Sequence, residues 1–222
     1  MLLIKCKNKK IISSVMLFFG MLVSSLASSS GVEAKLRAGR AVDHFVRAAA
    51  EVRVATDGYE LVYRHGDLGV QVQGSEGLVL ALHYRGIKKQ SRLSRWLRED
   101  RLYLQAEKKF ALANDGFLSA ISFSIRERVE FRSRENKPHA KRSRLRLKIK
   151  SKKLWFDSVR PFLSNELFYN IDEKKYTMNR FDVGFSFSNK ASLKQHVYLK
   201  FQSRRKNQAW LTNASLAYAL EL

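Results

Sequence analysis

The residues best placed to do chemistry are nine charged side chains set mostly at alternate positions within four short runs. They are Arg126, Arg128, Glu130 and Arg132, then Arg142, Arg144 and Arg146, and finally Glu166 and Arg180. A guanidinium presents a planar fork that matches a carboxylate or another oxyanion through two parallel hydrogen bonds. This set therefore predicts ionic chemistry. Either arginine–carboxylate pairs span neighbouring strands and brace them, or the excess of arginine makes an anion-selective constriction. Catalysis is not expected. His44, His65, His83, His139 and His196 are scattered along the chain, and none has the His-x-Ser spacing that a lipid-cleaving barrel enzyme uses, since His196 is followed by Val197 and Tyr198. No Cys/His cluster suits a metal, and the carboxylates are interleaved with arginine, so neither a metal nor another cofactor is expected.

The pattern around these residues says what must position them. From Phe117 to Phe131 one side reads Phe117, Ser119, Ile121, Phe123, Ile125, Glu127, Val129 and Phe131, and the other reads Leu118, Ala120, Ser122, Ser124, Arg126, Arg128 and Glu130. Leu145, Leu147 and Ile149 then alternate with Arg142, Arg144, Arg146, Lys148 and Lys150. The period is two, which a helix of 3.6 residues per turn would smear around its circumference. A pleated strand separates it into an apolar face and an ionic one.

Residues 1–34 carry the features of a secretory signal. Lys5, Lys7, Lys9 and Lys10 precede an apolar run from Ile11 to Ala27, and small residues suit cleavage after Ala27 or Ala34. Cys6, the single cysteine, precedes the apolar run, which excludes a lipoprotein. Cleavage after Ala34 removes four lysines and Glu33 and lowers the formal charge from +22 to +19. A charge of that size points to anionic partners, and for an exported chain those are membrane phosphates rather than nucleic acid. No later stretch approaches the ~18 uncharged apolar residues that a membrane helix needs.

Along the chain, Lys35 to Ala55 suits either a helix or a first strand near 46–55. Short strands follow, separated by turn signals at Thr56-Asp57-Gly58, His65-Gly66-Asp67 and Gly74-Ser75-Glu76-Gly77. Residues 86–100 read as a long basic loop, and residues 134–141 as a second polar loop. Asn114-Asp115-Gly116, 152–158, 172–175, 189–191 and 205–208 read as further turns, and a last strand runs to Leu222. Tyr59, Tyr84, Tyr169 and Trp210 fall at strand ends, where girdle aromatics belong. The expectation is an all-β chain: an antiparallel up-and-down transmembrane β-barrel of about ten strands (8–12), spanning residues 35–222, with lipid outside and a charged lumen. The alternative is a soluble periplasmic β-sandwich or β-barrel that binds anionic ligands, because alternation by itself does not say which face is wet.

Four runs taken in order resemble a known family: Arg126-Glu127-Arg128-Val129-Glu130-Phe131-Arg132, Arg142-Ser143-Arg144-Leu145-Arg146-Leu147, Asn165-Glu166-Leu167-Phe168-Tyr169-Asn170, and Asn179-Arg180-Phe181-Asp182-Val183-Gly184. The order and spacing are similar to those of the domain-of-unknown-function family 2490, over roughly Leu78 to Leu222. The resemblance implies an exported outer-membrane barrel of a Gram-negative bacterium and attaches no activity. The partners expected are outer-membrane lipid, lipopolysaccharide phosphates on loops 86–100, 133–141, 172–175 and 205–209, and the barrel-assembly machinery acting on the C-terminal strand. The barrel is expected to be a monomer.

Overall fold

The computed structural model describes residues 32–57, 60–91, 94–111, 120–152, 159–188, 194–206 and 209–221. Among them are eleven strands and no α-helix: β1 (Val32–Ala41), β2 (Val46–Asp57), β3 (Glu60–Gln73), β4 (Leu78–Gln90), β5 (Trp96–Ala111), β6 (Ile121–Arg134), β7 (Lys137–Ser151), β8 (Val159–Asn170), β9 (Lys175–Ser188), β10 (Lys194–Lys206) and β11 (Ala209–Glu221). Each strand is hydrogen-bonded to its sequence neighbours, and β1 closes the ring against β11. Ten of the eleven pairings are antiparallel. The seam is parallel and short, running only from Val32 opposite Leu216 to Arg37 opposite Glu221. A closed ring leaves two rims. One carries the turns at 42–45 and 74–77 and the end of β11; the other carries the turns at 91–95, 135–136 and 171–174.

The faces are the reverse of those in a water-soluble protein. Among the described residues, twenty-seven large hydrophobic side chains are exposed, while sixteen polar or charged residues are buried against eleven hydrophobic ones. Leu104 is 55% exposed, and its neighbour in sequence, Tyr103, is 2% exposed. A sandwich would bury the apolar rows between two sheets. Here one sheet is rolled with those rows outward, so the sandwich alternative does not describe this chain. Polar residues on the outward row pair with one another. Asn165 donates to Asn179 Oδ1 on the next strand at 2.9 Å, and Glu127 faces Ser143 Oγ at 3.4 Å.

Several boundaries differ from the sequence expectations. The first strand is not near 46–55: β1 lies before it, and residues 42–45 form its bend rather than a helix. His65-Gly66-Asp67 is no turn, because β3 runs straight through it with His65 and Asp67 pointing inward. The loops at 86–100 and 134–141 shrink to 91–95 and 135–136 as β4, β5 and β7 extend over the rest. In each case polar residues that suggested solvent belong to strands whose inner face is ionic. The turn at 74–77 is found: Glu76 at φ 52° and Gly77 at φ 77° close a single 3-10 turn. The two-residue turn at 135–136 places Asn136 at φ 59°, a left-handed conformation that asparagine tolerates better than most residues. There the Glu135 carboxyl is held below its usual range, first by the Arg98 backbone N–H at 2.9 Å and then by Arg95 at 3.1 Å. The signals at 114–116, 153–158, 189–191 and 207–208, together with Tyr59 and Leu222, lie outside the described residues.

The inner wall is tightly filled beside β9. A Cβ on Gly184 would collide with the Tyr198 side chain and the Val197 carbonyl oxygen, whereas one on Gly66 would meet nothing within 4 Å. Gly184→Val should therefore destabilise the barrel by about 1–3 kcal/mol in urea unfolding, the usual cost of overpacking. Gly66→Ala should stay within about 0.5 kcal/mol.

Candidate functional site

All nine residues of the predicted ladder face the lumen, and two glutamates organise them. Glu166 on β8 is fully buried, at 0% exposure. It accepts from Arg126 Nη2 at 2.7 Å and lies 2.6 Å from Arg180 Nη2, and Arg144 Nη2 reaches both of its oxygens at 2.9 Å. Glu130 on β6, also at 0%, accepts from Arg142 Nη2 and Arg144 Nη1, both at 2.5 Å, with Arg101 at 3.5 Å and Arg128 at 3.7 Å. Arg144 therefore joins the two hubs. Phe168, two residues after Glu166 on the same inward face, lies beneath the Arg144 and Arg142 guanidinium carbons, 4.5 and 5.0 Å from its ring centre. Such stacking leaves the fork free to hydrogen-bond sideways.

Two ladder members turn elsewhere. Arg132 donates to Glu99 at 2.5 Å and Arg146 to Glu107 at 3.2 Å, both on β5. Glu99 escaped the sequence reading because it lay in the stretch taken as a loop. Arg128 leans over the Tyr103 ring, its guanidinium carbon 3.9 Å from the centroid, and donates to Gln105 at 2.6 Å.

A second cluster, on β1 to β5, was not anticipated. Asp67 accepts from Tyr103 Oη and Arg85 Nε at 2.6 Å each, and its other oxygen lies 2.6 Å from His83 Nδ1. The His83 ring stacks on Tyr103 with centroids 4.9 Å apart and 4° between planes. One strand over, Glu51 accepts from Arg37 at 2.6 Å and lies 3.1 Å from His65 Nε2, whose Nδ1 lies 2.8 Å from Tyr63 Oη. Alternation of Tyr63, His65, Asp67 and Gln71 was the available signal, masked by the Gly/Asp turn signature in its midst. A third hub, Glu33 on β1, binds Arg53 on β2 and Lys200 on β10, and so ties the sheet together on both sides of the parallel seam.

These contacts bridge strands along the wall, mostly one or two strands apart. Together they form an ionic belt. Burying a charge is tolerable only when partners replace its hydration, and the two fully buried glutamates hold four and three guanidiniums within ion-pairing distance. Inside the belt lies a cavity of about 440 Å³, reaching from Arg85, Tyr103 and Arg144 to Lys150, Lys194 and Glu221 at the first rim. No group of three or more His, Cys, Asp or Glu suited to a metal occurs among the described residues.

A closed, mostly antiparallel barrel with an apolar exterior and an ion-paired interior is thus what the fold and site define. The chain belongs to the family described as protein of unknown function DUF2490, whose model matches residues 32–213, from the start of β1 into β11. No curated protein matches it.

Removing one hub isolates this interaction. Glu166→Gln keeps the volume but leaves three arginines without their counter-charge, and should cost about 3–5 kcal/mol of unfolding free energy. Glu127→Gln, on the outward row, should change stability by no more than about 0.5 kcal/mol. Equal effects of the two substitutions in urea titrations would contradict the assignment of the faces.

Proposed function

We propose that this chain is an integral β-barrel of the bacterial outer membrane, exported on a cleaved signal peptide, with a structural rather than catalytic role. The observation that carries the reading is the inversion of faces. Rows such as Leu80, Leu82 and Tyr84, or Leu145, Leu147 and Ile149, are exposed along a barrel whose strands are 10 to 16 residues long. Contiguous apolar surface on that scale is stable against acyl chains and not against water, and a tilted strand needs only about 9–11 residues to cross the hydrocarbon. Aromatic residues support the same placement. Trp96, Tyr169, Tyr176 and Trp210 gather toward one rim, where interfacial girdles sit. Exposed Arg95 lies beyond them and would meet lipopolysaccharide phosphates; of the basic stretch expected to do so, Lys88 and Lys89 lie within β4, and Arg98 lies opposite Lys88 within β5.

The lumen reads as a braced interior rather than an open pore, because Glu130 and Glu166 are fully buried in its wall and the arginines that hold them are nearly so. Signal cleavage after Ala27 fits this barrel better than cleavage after Ala34, since the second cut would remove Glu33 from the seam. The assembly machinery would engage β11, and the product would be a monomer.

Cell fractionation tests the address. The chain should sediment with outer membranes and migrate faster unboiled than boiled on detergent gels. Release by osmotic shock, with solubility in the absence of detergent, would overturn the reading. Leu104→Arg should cost about 2–4 kcal/mol if that position meets the bilayer midplane. In planar bilayers the folded barrel should give no conductance steps.

A further inference from the structure

The belt neutralises the carboxylates of the lumen but not its cations, and the surplus is concentrated in the cavity. Fourteen arginine and lysine side chains line it against five carboxylates, among the described residues. Counting Glu130 and Glu166 behind the wall still leaves a large positive excess. At the end nearer the β11 terminus, Lys109, Lys148 and Lys150 make no ion pair with a carboxylate among the described residues. Lys148 lies 4.6 Å from the centre of the Phe162 ring, and Lys150 donates to Ser186 Oγ at 3.0 Å. Deeper in, the guanidinium Nε–H groups of Arg126, Arg144 and Arg146 are buried with no hydrogen-bond acceptor, and Arg180 Nε lies 3.5 Å from Asp182 Oδ2. Asp182 Oδ1 lacks a donor in the same cavity, so the wall is not uniformly starved of acceptors.

Unpaired lysines and a large excess of arginine around one space are costly unless an anion occupies it. A volume of about 440 Å³ lies within the range of small-molecule sites. Phe162, Tyr198 and Ala219 give the cavity one apolar wall beside the lysines. We propose that the lumen is a binding site for a small, soluble, phosphate-bearing anion of at least two negative charges, held between Lys148 and Lys150 at the mouth and the Arg126–Arg146 forks within. This goes beyond a bracing role and does not depend on where the barrel resides, because it rests only on which side chains face inward.

Two measurements on the folded full chain test it, with inorganic pyrophosphate as the probe. Calorimetric titration should show saturable binding that is weakened at least tenfold in the double variant Lys148→Gln, Lys150→Gln, and a rise in melting temperature with pyrophosphate that the variant lacks. In the absence of pyrophosphate the same variant should melt at or above the parent temperature, since two unneutralised cations have been removed. A purely structural role for these lysines predicts the opposite, a lower melting temperature. No saturable binding by the parent, or equal binding by parent and variant, would overturn the proposal. Retained heat-modifiable migration of the variant shows that a loss of binding is not a loss of fold. Partition between membrane and soluble fractions is read separately, so failure of the membrane assignment and failure of the anion site are distinguishable.

Discussion

The structure depends on placing guanidinium and carboxylate groups together where neither can reach bulk water. An isolated buried carboxylate is prohibitively unfavourable, but one surrounded by several forks exchanges hydration for directional, charge-assisted hydrogen bonds. Glu166 and Glu130 are such points, and Glu51, Asp67 and Glu33 repeat the arrangement around the ring. Because the pairs reach across intervening strands, they couple elements that the backbone ladder joins only through a neighbour. Lys200 on β10 and Arg53 on β2 both hold Glu33, across strands whose direct pairing covers only six positions.

Placing the charges inside has a necessary counterpart outside. Side chains alternate along a strand, so a continuous ionic lining forces a continuous apolar coat. The coat is even enough that its polar exceptions satisfy one another locally, as Asn165 and Asn179 do. The inner face obeys the close-packing rule in its own way, with rings in place of aliphatic side chains. Phe168 underlies the Glu166 hub, Tyr103 joins Asp67 to Arg128, and Tyr198 rests against Gly184. These rings are the apolar filling of a polar core.

Much of this was legible in the sequence. The alternation in β6, β7 and β9 identified strands and sorted their faces, and the ladder residues were read from period alone. All but one of the failures share a cause. Polar clusters containing Gly or Asp usually mark solvent-exposed bends, but in a barrel with a charged interior they also mark the inside of a strand. That is why His65-Gly66-Asp67 read as a turn, and why Glu99 and the basic residues from Lys88 onward read as loop. The missed strand β1 has a different origin. Its Arg37, Gly39 and Arg40 offer a weak alternation, and what holds it is Glu33 together with a parallel partner nearly two hundred residues away, which no local pattern reports.

The odd number of strands has a topological consequence. Ten strands fall into five up-and-down pairs that return the chain to the side from which it started; an eleventh does not. Val32 and Glu221 therefore emerge at opposite mouths, as the parallel direction of their pairing requires. Hairpin connections account for every antiparallel pairing from β1 through β11, and only the parallel contact of β1 with β11, which shuts the cylinder, is made between strands that no turn joins.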